Sequence, residues 1–386
     1  MTPGLKSTDI CGEYSAAYFL GDCGGYKEFA ETGGRLLSDP RLQSVAALTR
    51  LAPTGSAVDL GCGRGELTYY LAERGHDVLG VDYSPDALAI AGGVLEGLED
   101  RGRARLVLAD VTTLTFAGAV ELFVASDVIE HLAPSELDVM YAMVRSSLGP
   151  DGVFVVHTAP SLWFYRHGYA RRRRLDPALP ADPRSEWEHR MHINEQTPRT
   201  LSEQLGRHFP HVRVWAGDPF FPAASLLAPG RHSVYRDSAD IFGVASLHAI
   251  RDELIVAAIA TCDRADPEEV DISAFDGATT VPRGETFRVR VSVRNRSSVA
   301  LASFGPQPYH LAYRWLTAAG DELVEPVRSR LWPILEANGE QTYEIGVRAP
   351  DVPGRAILRV TMVQELVQWF DWKPGGAQAE REIEIV

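Results

Sequence analysis

The chain has 386 residues, of which 45% are hydrophobic, enough apolar material for one large core and a second, smaller one. Its formal net charge of −14 speaks against holding nucleic acid by phosphate neutralisation, so no nucleic-acid partner is expected. No apolar run reaches the length of about 18 residues that a membrane-spanning helix needs. The opening Met1-Thr2-Pro3-Gly4-Leu5-Lys6 leads into no apolar stretch of the kind a signal peptide requires. Cys11, Cys23, Cys62 and Cys262 form neither a C-x-x-C pair nor a disulfide framework, and a reduced, cytoplasmic protein is the expectation.

Residues 1–53 read as an N-terminal helical cap. They contain Tyr14, Tyr18, Phe19 and the turn Gly24-Gly25-Tyr26, with helical spacing from Gly34 to Leu51. From Ala57 to about Thr158, strands and helices alternate in the βαβ pattern of a parallel sheet. The first strand, Val58-Asp59-Leu60, ends beside an acid and runs into Gly61-Cys62-Gly63-Arg64-Gly65-Glu66. Glycines in such a turn let a ligand approach the backbone. A second strand, within Gly75 to Ser84, ends in Asp82, an acid placed to accept hydrogen bonds from a ribose diol. A third, Leu106-Val107-Leu108-Ala109-Asp110-Val111, ends in Asp110. The dinucleotide fingerprint G-x-G-x-x-G would need its third glycine where Glu66 stands. A carboxylate there suits a helix start but repels a pyrophosphate.

Three strand-end acids and a G-x-G-x-G loop resemble class I SAM-dependent methyltransferases, over roughly residues 10 to 262. The resemblance implies an α/β, Rossmann-like methyltransferase sheet and S-adenosyl-L-methionine (SAM), a sulfonium without phosphate, as cofactor. It implies that Gly61, Gly63 and Gly65 pack against SAM and that Asp59 reaches its amino-acid end. It also implies that Asp82 holds the ribose, that Asp110 meets the adenine amino group, and that Tyr83, Val111 and Ser126 join the wall. The cap aromatics would then cover the cofactor or simply pack.

The fourth strand is expected at Glu121–Asp127, a helix from about Ser135, and a fifth strand at Val153–Thr158 after the turn Leu148-Gly149-Pro150-Asp151-Gly152. Asp127, Glu130 and His131 stand at i, i+3 and i+4, one face of a coiling chain. The arrangement resembles the ubiquinone-biosynthesis O-methyltransferases and the small-RNA terminal 2′-O-methyltransferases, which act on hydroxyls with a divalent ion. That likeness implies Mg2+ or Mn2+ on Asp127, Glu130, His131 and a downstream histidine, either His189 or His192, with His192 as the candidate. The first acid is an aspartate, shorter than the glutamate of those groups. Without a metal, His131 or His192 would act as general base near neutral pH, beside Glu130. Residues 159–198 read as an acceptor-side insertion holding Trp163, Phe164, Tyr165, Tyr169, the run Arg171 to Arg174, and Trp187. The arginines are read either as a solvated face or as a clamp for an anionic or polyhydroxylated acceptor. The last two strands of the sheet, which would close the 54–262 domain, are expected at 211–216 and 253–262, with Asp218 to Arg251 as a further insertion.

After Cys262, Arg264-Ala265-Asp266-Pro267-Glu268-Glu269 reads as a linker. Phe287, Val289, Val291 and Val293 then alternate with polar residues, the period of a half-buried strand. Similar runs at 311–316, 343–347, 357–363 and 382–386 make residues 270–386 a separate all-β, Ig-like sandwich. Its motifs resemble modules attached to bacterial polysaccharide proteins. Of Tyr309, Trp315, Trp332, Trp369, Phe370 and Trp372, about half are expected to be core. The expected function is O-methylation of a hydroxyl on a sugar, glycan or glycolipid-precursor acceptor. The alternatives are a small-molecule (natural product or quinone) O-methyltransferase whose sandwich mediates homo-oligomerisation, and a non-catalytic SAM- or glycan-binding protein.

Overall fold

The strands between Ser56 and Ser246 assemble into one seven-stranded sheet. The computed structural model describes residues 11–37, 39–98, 103–217, 238–260, 265–303, 307–331, 333–365, 367–372 and 375–386. The chain divides into two compact units, Met1–Thr261 and Cys262–Val386. Met1 to Lys6, Cys262, Arg264, Trp332 and residues 218–237 of the expected second insertion lie outside the described residues.

In chain order the first unit runs α1 (Ala16–Gly21), α2 (Tyr26–Thr32), α3 (Pro40–Thr49), β1 (Ser56–Leu60), α4 (Glu66–Glu73), β2 (Asp77–Asp82), α5 (Pro85–Leu95), β3 (Ala104–Leu108), β4 (Val120–Ser126), α6 (Pro134–Ser147) and β5 (Leu148–Thr158). It continues through α7 (Ala170–Leu175), α8 (Glu186–Met191), α9 (Pro198–Gly206), β6 (His211–Gly217), β7 (Asp240–Ser246) and α10 (Asp252–Ala260). Strands β3 to β5 pair in parallel through β2, β1 and β4, while β7 runs antiparallel to both β5 and β6. Helices cover both faces, which is why the central strands read as unbroken apolar runs. On β4, Leu122 and Val124 enter one core with α3, α4 and α10, while Phe123 and Ala125 enter the other with α6 and α9.

Two expectations about this sheet are corrected. Residues 252–260 form helix α10, and the last strand of the sheet in chain order is β7, which lies between β5 and the edge strand β6 and falls inside the segment taken for an insertion. A short apolar run is ambiguous between the two states. Here Asp252 and Glu253 at the N-terminus and three alanines in Leu254 to Ala260 favour helix. Helix α6 starts at Pro134 with Ala133 as cap, not on the Ser135 hydroxyl; Glu136 reaches back to accept the Ala133 N–H at 2.8 Å. Among the described residues no helix is long and apolar enough to cross a membrane.

The second unit contains β8 (Val270–Asp276), β9 (Thr280–Val281), β10 (Thr286–Asn295), β11 (Tyr309–Leu316), β12 (Glu322–Arg330), β13 (Glu340–Arg348), β14 (Gly354–Gln364), β15 (Gln368–Trp369) and β16 (Gln378–Ile385). One sheet is ordered β13-β10-β8, the other β12-β11-β14-β16-β9 with β15 on β14. Val289, Val291 and Val293 from the first sheet and Leu311, Tyr313 and Trp315 from the second share one core. Tyr309, Trp315 and Phe370 are core; Trp372 is 70% exposed, and Trp369 is half-buried with the Arg314 guanidinium 3.9 Å from its ring centre.

Phe242 tests the placement of β7: it is fully buried, stacked on Trp215 and against His157. Phe242→Ala is expected to cost about 3–5 kcal/mol in urea unfolding; a change near zero would contradict the packing of β7 between β5 and β6.

Candidate active site

A cavity of about 940 Å³ opens at the carboxyl ends of β1, β2 and β4, where ligands bind in open α/β sheets. Its volume is at the upper end of small-molecule sites, roughly 300–1,000 Å³, room for a donor and an acceptor side by side. Asp59, Gly61, Gly63, Asp82, Tyr83, Asp110, Val111 and Ser126 line it. Gly65 does not: an added Cβ there would lie 2.8 Å from that of Ala91, and its φ is +84°, so it serves helix packing and the turn. Gly61 also has positive φ, and a Cβ would stand 2.5 Å from Val128 Cγ2. Only glycine fits both.

The acids are already oriented. Thr68 Oγ1 donates to Asp59 Oδ2 at 2.7 Å. The Gly63 and Ser84 N–H groups donate to the two oxygens of Asp82 at 2.9 and 2.8 Å, and Thr112 N–H donates to Asp110 Oδ1 at 2.8 Å. Burial raises the Asp59 carboxyl to about 6, with the Thr68 bond opposing and the charge of Asp82 adding. Burial raises Asp82 as well. Two buried acids raised together favour a cationic ligand, which SAM is. Ser126 Oγ, buried and without a hydrogen-bond partner among the described residues, offers a further polar contact.

Arg64, between two of the loop glycines, ties the cap to the loop. Its guanidinium donates to Phe19 O at 3.0 Å and to Gly24 O at 2.8 Å, and pairs with Glu66 at 2.9 Å. Glu66 thus has a structural partner, a role its place at the helix start did not reveal. Ser84 Oγ donates to Tyr14 O at 2.7 Å. The cap so held puts Tyr14, Tyr18 and Phe19 on the cavity wall. From the insertion, Trp187 stacks on Tyr18 with centroids 4.6 Å apart and meets Tyr14 edge-on.

Of the expected acceptor-side residues, the structure brings Glu130, His131 and His192 together, with one donor atom of each within 4.8 Å of the others. Glu130 and His131 sit on a single 3-10 turn, Ile129–His131, and His192 follows α8. His189, the alternative, is half-exposed and pairs with Asp182 at 3.4 Å. Asp127 stands outside the cluster. Its φ of +55° ends β4 in a left-handed turn, and its carboxylate faces His157 at 3.0 Å and Arg41 at 3.6 Å. The expected metal set is therefore corrected to Glu130, His131 and His192, because two cations already occupy Asp127. The arginine run Arg171 to Arg174 is exposed on α7, and neither it nor Trp163, Phe164, Tyr165 or Tyr169 lines the cavity. The solvated-face reading of that run stands in place of the clamp.

Two of the three clustered groups have one polar atom within hydrogen-bond distance of a partner, and the third faces a carboxylate. Thr158 Oγ1 donates to Glu130 Oε2 at 2.7 Å. His131 Nδ1 lies 3.1 Å from Met191 O; a carbonyl only accepts, so Nδ1 carries the proton and Nε2 keeps its lone pair, 3.9 Å from Glu130 Oε1. His192 Nδ1 faces Glu195 Oε1 at 3.8 Å. Burial, then the charge of Asp127, raises Glu130. Burial, then His192, pushes His131 down to about 4, so it is neutral at pH 7. Burial opposes the charge on His192, but Glu195 and Glu130 outweigh it and raise its pKa. A buried carboxylate with two imidazoles is a donor set for a divalent transition-metal ion such as Mn2+, with open positions, and suits it better than the all-oxygen-preferring Mg2+.

Residues 57–152 match the family described as methyltransferase domain. The chain carries a class I SAM-dependent methyltransferase domain. Over 123 residues the chain is 30% identical to the cyclopropane-fatty-acyl-phospholipid synthase of Escherichia coli K12, covering 31% of this chain and 30% of that one. It is 29% identical over 178 residues to the trans-aconitate 2-methyltransferase of Sinorhizobium fredii, 46% of this chain and 65% of that one. With the ubiquinone biosynthesis O-methyltransferase of Methylococcus capsulatus it shares 34% over 117 residues, 30% of this chain and 47% of that one. The chain thus spans less than two thirds of each relative. A TehB-like SAM-dependent methyltransferase from Corynebacterium glutamicum is similar at a TM-score of 0.39 and 20% identity, over 60% of this chain and 98% of that one.

Two outcomes test the site. Asp82→Ala is expected to weaken SAM binding about tenfold or more in isothermal titration, the loss of charged hydrogen bonds of about 1.5–3 kcal/mol; unchanged affinity would detach Asp82 from the cofactor. His157, buried between Asp127 and Asp240, has its pKa pushed up to about 10, the two aspartates outweighing burial. A value raised above the unfolded 6.5 gives stability complete below about pH 6.5 and lost as pH rises through 10. The stability gap between wild type and His157→Gln should therefore shrink from pH 6 toward pH 10; a gap that widens would contradict the buried cation.

Proposed function

We propose that the protein transfers a methyl group from SAM to a hydroxyl of a sugar or glycan acceptor, with Glu130, His131 and His192 at the reacting oxygen. The observation that carries this reading is the convergence of those three groups in the cavity that also holds Asp59, Asp82 and Asp110. SAM, when bound, supplies an electrophilic methyl carbon on a cationic sulfur. Asp59, Asp82 and Asp110 hold the cofactor, and the Tyr14, Tyr18 and Trp187 roof keeps water from the reacting centre. The chain's task is then to orient the hydroxyl and take its proton. With no ion on these groups, Glu130 Oε1, on a carboxyl raised toward neutrality, is an acceptor for that proton.

The donor set fits a divalent ion on Glu130, His131 and His192; bound there, it would supply Lewis acidity that lowers the pKa of the hydroxyl. Vicinal hydroxyls of a sugar suit the open positions of such a site. In the second unit, the exposed Trp372 beside Trp369 offers an apolar face for sugar C–H groups, in support of a role in guiding a glycan acceptor. A second reading, a planar small molecule carrying a phenolic hydroxyl, is supported by the aromatic roof and the likeness to the ubiquinone biosynthesis enzyme. The sandwich would then serve assembly of copies.

Transfer of radiolabelled methyl from SAM to soluble oligosaccharides and, in parallel, to catechol-type phenols separates the readings. Labelled oligosaccharide is the expected product, and turnover should fall to background on stripping divalent ions with EDTA and return with Mn2+. Label on phenols alone would give the second reading. SAM binding with no product from either class would favour a non-catalytic binding protein.

A further inference from the structure

We infer that Glu195 is a positioning residue that aims His192 at the proposed cation site. This rests on the reading of Glu130, His131 and His192 given above. Metal-binding histidines nearly always give their second ring nitrogen to a carboxylate or carbonyl, which fixes the tautomer and raises the basicity of the ligating nitrogen. Two of the three donors already have such a partner: Thr158 holds Glu130, and the Met191 carbonyl holds His131. The corresponding place at His192 is filled by Glu195. His192 Nδ1 and Glu195 Oε1 face each other at 3.8 Å with both side chains more than nine-tenths buried, and neither atom has a hydrogen-bond partner among the described residues.

Glu195 is itself held. Its Oε2 accepts from Arg184 Nη1 at 3.1 Å, and the same guanidinium pairs with Asp182 at 2.6 Å and lies 4.8 Å from the Tyr165 ring centre. The segment that carries both His192 and Glu195 is docked on the Glu130 turn. Asn194 N–H donates to Glu130 O at 3.0 Å, and the Asn194 side chain donates to Ile129 O at 3.4 Å. The carboxylate is thus fixed relative to the ring it faces, as an orienting group must be. With Nδ1 turned to Glu195, the other nitrogen of His192 is left for the ligand.

The test is a titration of the metal-stripped full chain with Mn2+ alone, followed by electron paramagnetic resonance, with SAM affinity measured on the same samples. Wild type is expected to bind Mn2+ at one site. Glu195→Gln, which keeps the shape and removes the charge, should raise the Kd about 10- to 100-fold while SAM affinity holds. Arg184→Gln, which removes the anchor of Glu195 along with the pairing to Asp182 and leaves the Glu195 carboxylate in place, should raise it several-fold, and this variant decides the matter if Glu195→Gln does not fold. Wild-type affinity in the variants would overturn the positioning role and leave the cation site standing. Absence of Mn2+ binding in wild type would overturn the cation site itself, and the role of Glu195 with it.

Discussion

A partly buried chain of alternating charge fixes the cavity wall around Glu130 and His131. Asp240 on β7 holds His157 on β5, His157 faces Asp127 at the end of β4, and Asp127 meets Arg41 of α3, which pairs with Asp39. The last link is short and local; the others join separate elements. With Asp127 so held, the chain can turn left-handed there at a non-glycine residue, a conformation that persists only where surrounding structure enforces it. The turn has two consequences. It presses Val128 into the space beside Gly61, and it delivers Glu130 and His131 to the cavity wall. The antiparallel β7 therefore does more than extend the sheet: it supplies the terminal acid of the chain.

The two halves of the cavity solve opposite electrostatic problems. On the donor side Asp59 and Asp82 are buried, and among the described residues their oxygens receive the Thr68 hydroxyl and backbone N–H groups, with no basic side chain hydrogen-bonded to them. That arrangement leaves negative character for a sulfonium cofactor. On the acceptor side Asp127 is paired with His157 and Arg41, whereas Glu130 accepts from the Thr158 hydroxyl and faces two imidazoles. In the proposed reading, Glu130 is the carboxylate that serves the chemistry.

Much of the donor half was legible from residues 58 to 110, because strand-end acids and a glycine turn are local patterns whose spacing carries their geometry. Glu130 and His131 were legible for the same reason, and His192 by residue type. What escaped was long-range. Arg64 looks like a variable position in a glycine loop, yet it binds two carbonyls of the cap. His157 reads as one polar residue in an apolar strand, and Asp240 lay in the segment read as a further insertion. Asp127 was misjudged as a ligand because sequence spacing shows which residues can share a face, not which cations arrive from α3 and β5. The α10 segment failed differently: an alanine-rich apolar run of nine residues suits either state until its packing is known. In the second unit, alternation located β10, β11, β13 and β14 well, while β12, exposed along most of its length, carries no such signal.

The central claim is that donor and acceptor chemistry meet in one cavity, with Glu130, His131 and His192 beside the methyl group. An anomalous difference map from crystals grown with Mn2+ and S-adenosylhomocysteine tests it most directly. The account predicts a manganese peak bounded by Glu130, His131 and His192, with the cofactor sulfur in the same cavity and its ribose on Asp82. A cofactor whose sulfur lies away from that cluster, or a manganese peak only at other acids, would contradict it.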